Sequence, residues 1–188
     1  VWNAQCSFHF KQKNMSSKEK NLSSVSPGIP SVQLPPDSKV GIVTAAWNEE
    51  ITFAMRDACI QTLEDNGLVK ENLISITVPG AFELPTGAKL LLSQHSLDAV
   101  VCIGCVIKGE TKHDEYISQA VAQGVMHLSL LSGKPVIFGV LTPNDRQQAI
   151  DRAGGKYGNK GIEAALTAIQ MMHLSVEIKQ ADKKKIGF

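Results

Sequence analysis

No run of apolar residues in this 188-residue chain reaches the roughly 18–20 that a membrane-spanning helix needs. Neither sign of charge prevails. The 19 Lys and Arg offset the 18 Asp and Glu to a formal net charge of +1, so composition points to no nucleic acid or other polyanion as partner. Cysteine is scarce too. Cys6, Cys59, Cys102 and Cys105 are too few and too scattered for the disulfide scaffold of a small secreted domain. Cys102 and Cys105 do make a C-x-x-C, but it lies inside the apolar run DAVVCIGCVI. In a strand, positions i and i+3 point to opposite faces. A redox pair normally opens a helix, and a zinc site needs further ligands nearby. These cysteines therefore read as buried core thiols, with redox or metal chemistry the poorer alternative.

What is present suits one soluble globular domain: 43% hydrophobic residues and 20% charged. Residues 1–38 are rich in Ser, Lys, Asn and Pro without a sustained period, and read as disordered or loosely docked. Met15, followed by SSKEK, is a candidate natural start. Residues 181–188, ADKKKIGF, read as a solvated tail. Residues 39–180 between them form the domain.

Within it, strands and helices alternate. VGIVTAA (40–46), LISITV (73–78), AVVCIGCVI (99–107) and PVIFGVL (135–141) are apolar runs of strand length. Helical spacing links Ile51, Met55, Cys59 and Leu63, then Leu84, Ala88 and Leu91, then Ile117, Val121, Val125, Leu128 and Leu131. Pro85 fits the first turn of its helix, and Gly67 and Gly133 close theirs. A short helix capped by Thr142 and reaching about Ala153, and a last helix from about Asn159 to beyond Met172, complete the pattern. Strands apolar on both faces predict a four-stranded parallel sheet between two helical layers, an α/β/α sandwich.

Ligands of such sheets bind beyond the carboxyl ends of the strands. A polar stretch follows each strand there: AAWNEE, VPGAFE, KGETKH and LTPND. In KGETKH, Gly109 lets the chain turn, and the amides of Glu110 and Thr111 then face outward at a helix start, which favours an anion. A plain capping turn closed by Thr111 or Asp114 is the alternative. His113 sits at the same helix start, where the dipole disfavours imidazolium and leaves the ring able to take a proton. Trp47 and Phe82 follow the first two strands and could offer flat faces to an aromatic ligand, or simply pack. Glu83 could accept hydrogen bonds from hydroxyls. His9, His95, His127 and His173 lack supporting groups and read as structural. The stretch RAGGKYGNKG (152–161) sets four Gly beside Arg152, whose fork suits phosphate. It reads either as a solvated joint between helices or as a group completing a neighbouring subunit's site.

The motifs AAWNEEIT, VPGAFELP, IGCVIKGETKHDEY, PVIFGVLT and DRAGGKYGNKGIEAA, in this order over about residues 39–172, together resemble the lumazine synthase family. The resemblance implies a flavodoxin-like sandwich assembled as a homopentamer, with active sites between adjacent subunits. It implies a transferase of riboflavin biosynthesis that needs no cofactor. Its reaction would condense 5-amino-6-(D-ribitylamino)uracil with 3,4-dihydroxy-2-butanone 4-phosphate to 6,7-dimethyl-8-ribityllumazine, releasing phosphate and water. Carried over by position, Trp47 stacks on the pyrimidine, and Asn48, Ala81, Phe82 and Glu83 help hold the uracil and its ribityl chain. Gly109, Glu110 and Thr111 cradle phosphate through backbone groups, and His113 moves protons. From the neighbour, Phe138 covers the ring, Arg152 binds phosphate and Lys160 lies near the ligand.

The chain also departs from many members of that family. Asp114 stands where an aromatic is frequent, Glu110 where Ala is frequent, and Trp47 where Phe is frequent. A carboxylate close to phosphate repels it, so the Glu110 side chain must point away or pair with Lys108 or Lys112. Members of that family with the short form of the GGKYGNKG joint often build a sixty-subunit icosahedral shell, so the resemblance implies such a shell over free pentamers. A cytoplasmic location is implied, or a plastid in a photosynthetic eukaryote. Rival readings are a flavin- or ribityl-binding module without turnover and a cage retained only for its shell. Neither would need both His113 and Arg152.

Overall fold

The computed structural model describes residues 33–186, with side chains described as far as Ala181. Residues 1–32, and with them Cys6, His9 and Met15, lie outside the described residues. Four strands, β1 (Val40–Ala45), β2 (Leu73–Val78), β3 (Ala99–Cys105) and β4 (Val136–Leu141), pair in parallel in the order β2-β1-β3-β4. Helix α1 (Glu49–Asp65) packs on α5 (Lys160–Ile186), and α2 (Leu84–Gln94) packs on α3 (His113–Ser132). A short α4 (Arg146–Ile150) follows β4.

The alternating direction of strand side chains divides the core in two. Val40 and Ile42 of β1, with Val101, Ile103 and Cys105 of β3, meet Met55, Cys59 and Leu63 of α1 and Ala165, Ala168 and Ile169 of α5. Val43, Ala45, Val100 and Cys102 face the other way, onto Leu84, Ala88 and Leu91 of α2 and Val121 and Val125 of α3. The result is the expected α/β/α sandwich with a four-stranded parallel sheet. Cys102 and Cys105 fall on opposite sides of that sheet and are free thiols. Burial pushes the Cys102 thiol up to about 12 and Cys105 to about 11, so neither supplies a thiolate near neutral pH.

Several local features differ from the sequence reading. β2 is an edge strand with Ser75 and Thr77 exposed, whereas β1 and β3 are buried throughout and β4 exposes only Phe138. α4 is capped by Asp145, whose carboxylate accepts the Gln148 N–H at 2.8 Å, and not by Thr142. Residues 152–161 are more than a joint. They hold an antiparallel hairpin of β5 (Ala153–Gly155) and β6 (Gly158–Asn159), with Gly154 and Gly158 at φ 123° and 77°. The buried Asn159 side chain donates to the carbonyls of Ala54 and Ala153, each at 3.1 Å, and accepts the Gly161 N–H at 2.8 Å. Hairpin, α1 and α5 are thereby tied together. α5 continues through most of the stretch read as a tail. At the other end, Leu34 is buried in the α1–α5 core, and a His173 ring nitrogen bonds the Gln33 carbonyl. Leu131 was expected on the buried face of α3 but is 87% exposed, with Leu130 beside it at 74%.

Candidate active site

The strand order reverses direction between β1 and β3, which opens a crevice at their carboxyl ends. The rim there is held in place by a row of hydrogen bonds that prolongs the sheet. Ala46 and Trp47 donate their N–H groups to Val78 and Pro79 at 2.8 and 3.1 Å. Val106 and Lys108 donate theirs to Leu141 and Pro143 at 2.8 and 2.9 Å. Asn48 links the two inner loops, its side-chain amide donating to the Cys105 carbonyl at 3.0 Å. It does so from a left-handed backbone, φ 61°, which Asn tolerates better than most residues. Its own carbonyl accepts the N–H groups of Ile51 and Thr52 and so starts α1.

A cleft of about 1030 Å³ occupies this crevice. Trp47, Asn48, Ala81, Phe82, Glu83, Gly109, Thr111 and His113, all singled out from the sequence, line it together. Trp47 and Phe82 are 73% and 59% exposed, so neither ring is used up in packing. Glu83 closes the turn before α2 by accepting the Gly80 N–H at 3.0 Å through one carboxylate oxygen. Glu110 is exposed and does not line the cleft, although Gly109 and Thr111 on either side of it do. Among the described residues neither Lys108 nor Lys112 forms an ion pair with it.

The 109–113 turn is closed by its own side chains. Thr111 Oγ1 accepts the His113 N–H at 3.4 Å, and Asp114 Oδ1 accepts the Gly109 N–H at 3.3 Å. Among the described residues the amides of Glu110 and Thr111 have no protein partner. Two side chains thus brace the turn, while Lys112, which opens α3, makes no side-chain cap bond.

Phe138, Arg152 and Lys160 are elsewhere. They line a second hollow of about 640 Å³ along the open edge of β4, with Gln148, Glu163 and Thr167. Arg152 Nη1 donates to the Gln148 carbonyl at 3.0 Å, and its guanidinium lies 5.0 Å from the centre of the Tyr157 ring. Lys160 Nζ donates to both Glu163 oxygens at 2.8 Å. Phe138 is 42% exposed. The chain thus brings eight of the singled-out residues to one cleft and carries three more in a separate hollow.

Sequence reasoning missed Pro79, Val106, Ile107, Tyr116 and Ile117, which also line the cleft. Val106 and Ile107 were assigned to the third strand, which ends at Cys105. Tyr116 could have been found, since it stands one helical turn after His113 on α3. The lining joins apolar residues such as Pro79, Val106 and Ile107 with the polar Asn48, Glu83, Thr111, His113 and Asp114. Among the described residues no group of three or more His, Cys, Asp or Glu is placed to hold a metal ion, and no helix is long and apolar enough to cross a membrane.

A family model described as 6,7-dimethyl-8-ribityllumazine synthase matches residues 37–176. The chain is 51% identical over 159 residues to a protein of that name from Cytophaga hutchinsonii, covering 84% of this chain and 98% of the relative. It is 48% identical to one from Bacteroides fragilis over 134 residues, 71% and 94% of the two chains. A third, from Flavobacterium psychrophilum, is 43% identical over 175 residues, 91% and 88% of the two. The family-model match runs across every strand of the four-stranded sheet and every loop of the cleft, and the chain belongs to the 6,7-dimethyl-8-ribityllumazine synthase family.

Proposed function

We propose that the chain condenses 5-amino-6-(D-ribitylamino)uracil with 3,4-dihydroxy-2-butanone 4-phosphate, forming 6,7-dimethyl-8-ribityllumazine and releasing phosphate and water. The observation that carries this reading is the cleft between β1 and β3. It gathers the exposed rings of Trp47 and Phe82, the turn residue Thr111 with its unpaired amide, and His113 in one lining.

Trp47 stacks on the pyrimidine, while Asn48, Ala81, Phe82 and Glu83 hold its edge and the ribityl hydroxyls. The amine attacks the ketone and an imine forms with loss of water. Phosphate then departs, and ring closure releases a second water. Each step moves a proton, which suits the exposed imidazole of His113. The leaving phosphate is received by the amides of Glu110 and Thr111 and the positive end of α3. Both reactants are already reactive, so holding them together supplies much of the acceleration.

The same reading needs the second hollow. Phe138 and Lys160 line it with Arg152, and a neighbouring copy presenting this edge to the cleft would add a ring cover and a guanidinium for phosphate. We therefore infer a homopentamer with sites between adjacent protomers, assembled further into an icosahedral shell. We also infer a cytoplasmic location, which cell fractionation tests. Purified protein mixed with both substrates, without flavin, should give an enzyme-dependent rise in lumazine fluorescence. A ribityl-binding module or an inert cage would give none.

A further inference from the structure

We propose that Asp114 is the positioning residue of the anion-binding turn, aligning the Glu110 and Thr111 amides by engaging the Gly109 amide. This rests on the reaction assigned above. Asp114 is the second residue of α3, half-buried, and lines the cleft. Its Oδ1 accepts the Gly109 N–H at 3.3 Å, across five positions of the chain. That bond spans the turn and ties it to the first turn of α3. Thr111 Oγ1 accepts the His113 N–H one step further along, so the two bonds share the turn.

Three consequences follow from the geometry. Gly109 is removed from the set of outward donors, leaving Glu110 and Thr111 as the unpaired pair. The turn gains an anchor on a helix, where Gly109 alone would leave it loose. A carboxylate also sits within the cleft that receives a phosphate. Directing one oxygen onto an N–H disperses part of its charge, but the residual charge still opposes an anion. Asp114 thus trades some phosphate affinity for order in the turn. An amide in its place would keep the acceptor and remove the charge.

The test uses the full chain with two substitutions. In Asp114→Ala the bond is lost. Amide exchange read by mass spectrometry on peptides spanning residues 106–116 should quicken about tenfold at the turn. The KM for the butanone phosphate should rise about fivefold, with the KM for the uracil changed far less. Asp114→Asn should restore the exchange rate and bring the butanone phosphate KM to the unaltered value or below it. Asp114→Ala with neither exchange nor KM altered would overturn the proposal, and so would an Asn variant as impaired as the Ala variant. If the unaltered chain proved inactive, the reaction assignment would fall. The exchange arm, with inorganic phosphate as the probe for protection of the same peptides, would still decide whether Asp114 orders the turn.

Discussion

Arg152 and His113 do unequal work in the proposed reaction. Charge on the departing phosphate is what a fixed guanidinium stabilises, and Arg152 Nη1 is held by the Gln148 carbonyl while the group lies over Tyr157. Arg152→Ala should lower kcat/KM by about 100-fold or more. His113 is exposed, and in the proposed reaction it moves protons that water can also move, so His113→Ala should cost only about tenfold. Steady-state kinetics giving the reverse order would remove these roles. The cysteines lead to a different expectation. Burial lifts Cys59 and Cys102 from 9.0 to about 12, so both stay protonated in the fold well after the unfolded chain has ionised. The neutral thiols favour the fold fully below pH 9, and that contribution fades as pH rises from 9 towards 12. Urea midpoints should therefore fall above pH 9, less steeply in Cys102→Ala. Cys59, Cys102 and Cys105 should react with a thiol reagent at pH 8 only when the protein unfolds.

At the scale of elements, the four parallel strands were legible because β1, β3 and β4 are nearly unbroken apolar runs, and each is followed by polar residues where the chain leaves the core. The cleft was legible for the same reason. The hairpin was not. AGG and GN carry no strand propensity, and what shapes them is tertiary: two left-handed glycines and the three hydrogen bonds of Asn159. Gly161 shows the tightest constraint. A Cβ there would lie 1.9 Å from the Met55 carbonyl oxygen, so the α1–α5 contact depends on its absence. Gly161→Ala should destabilise the fold by about 3 kcal/mol, measured by denaturant titration. A midpoint unchanged by that substitution would mean that α5 can shift away from α1 freely. Asp145 offers a second lesson. It outcompetes Thr142 as cap because its carboxylate reaches the Gln148 N–H three residues on, and residue type alone did not distinguish the two.

For the whole molecule, periodicity on α3 revealed an apolar face but not what covers it. Leu130, Leu131 and Met126 remain exposed on the protomer, as do the rings of Trp47 and Phe82. Light scattering should give a particle of at least pentamer mass, and a monomer in solution would contradict the shared-site proposal. Complementation tests it directly. Trp47→Ala damages the cleft and Arg152→Ala damages the β4 edge. Co-expressing the two should yield some sites built from one intact cleft and one intact edge, with activity above either variant alone. No gain on mixing would argue that cleft and edge belong to different sites.

Under the shared-site proposal, the separation of the 1030 Å³ cleft from the 640 Å³ hollow on one chain has a genetic corollary. A cell expressing a sound and a defective allele together would not lose activity in proportion to gene dose. Each faulty copy would silence a site that its healthy companion had half built, and two recessive lesions on opposite edges would partly rescue each other.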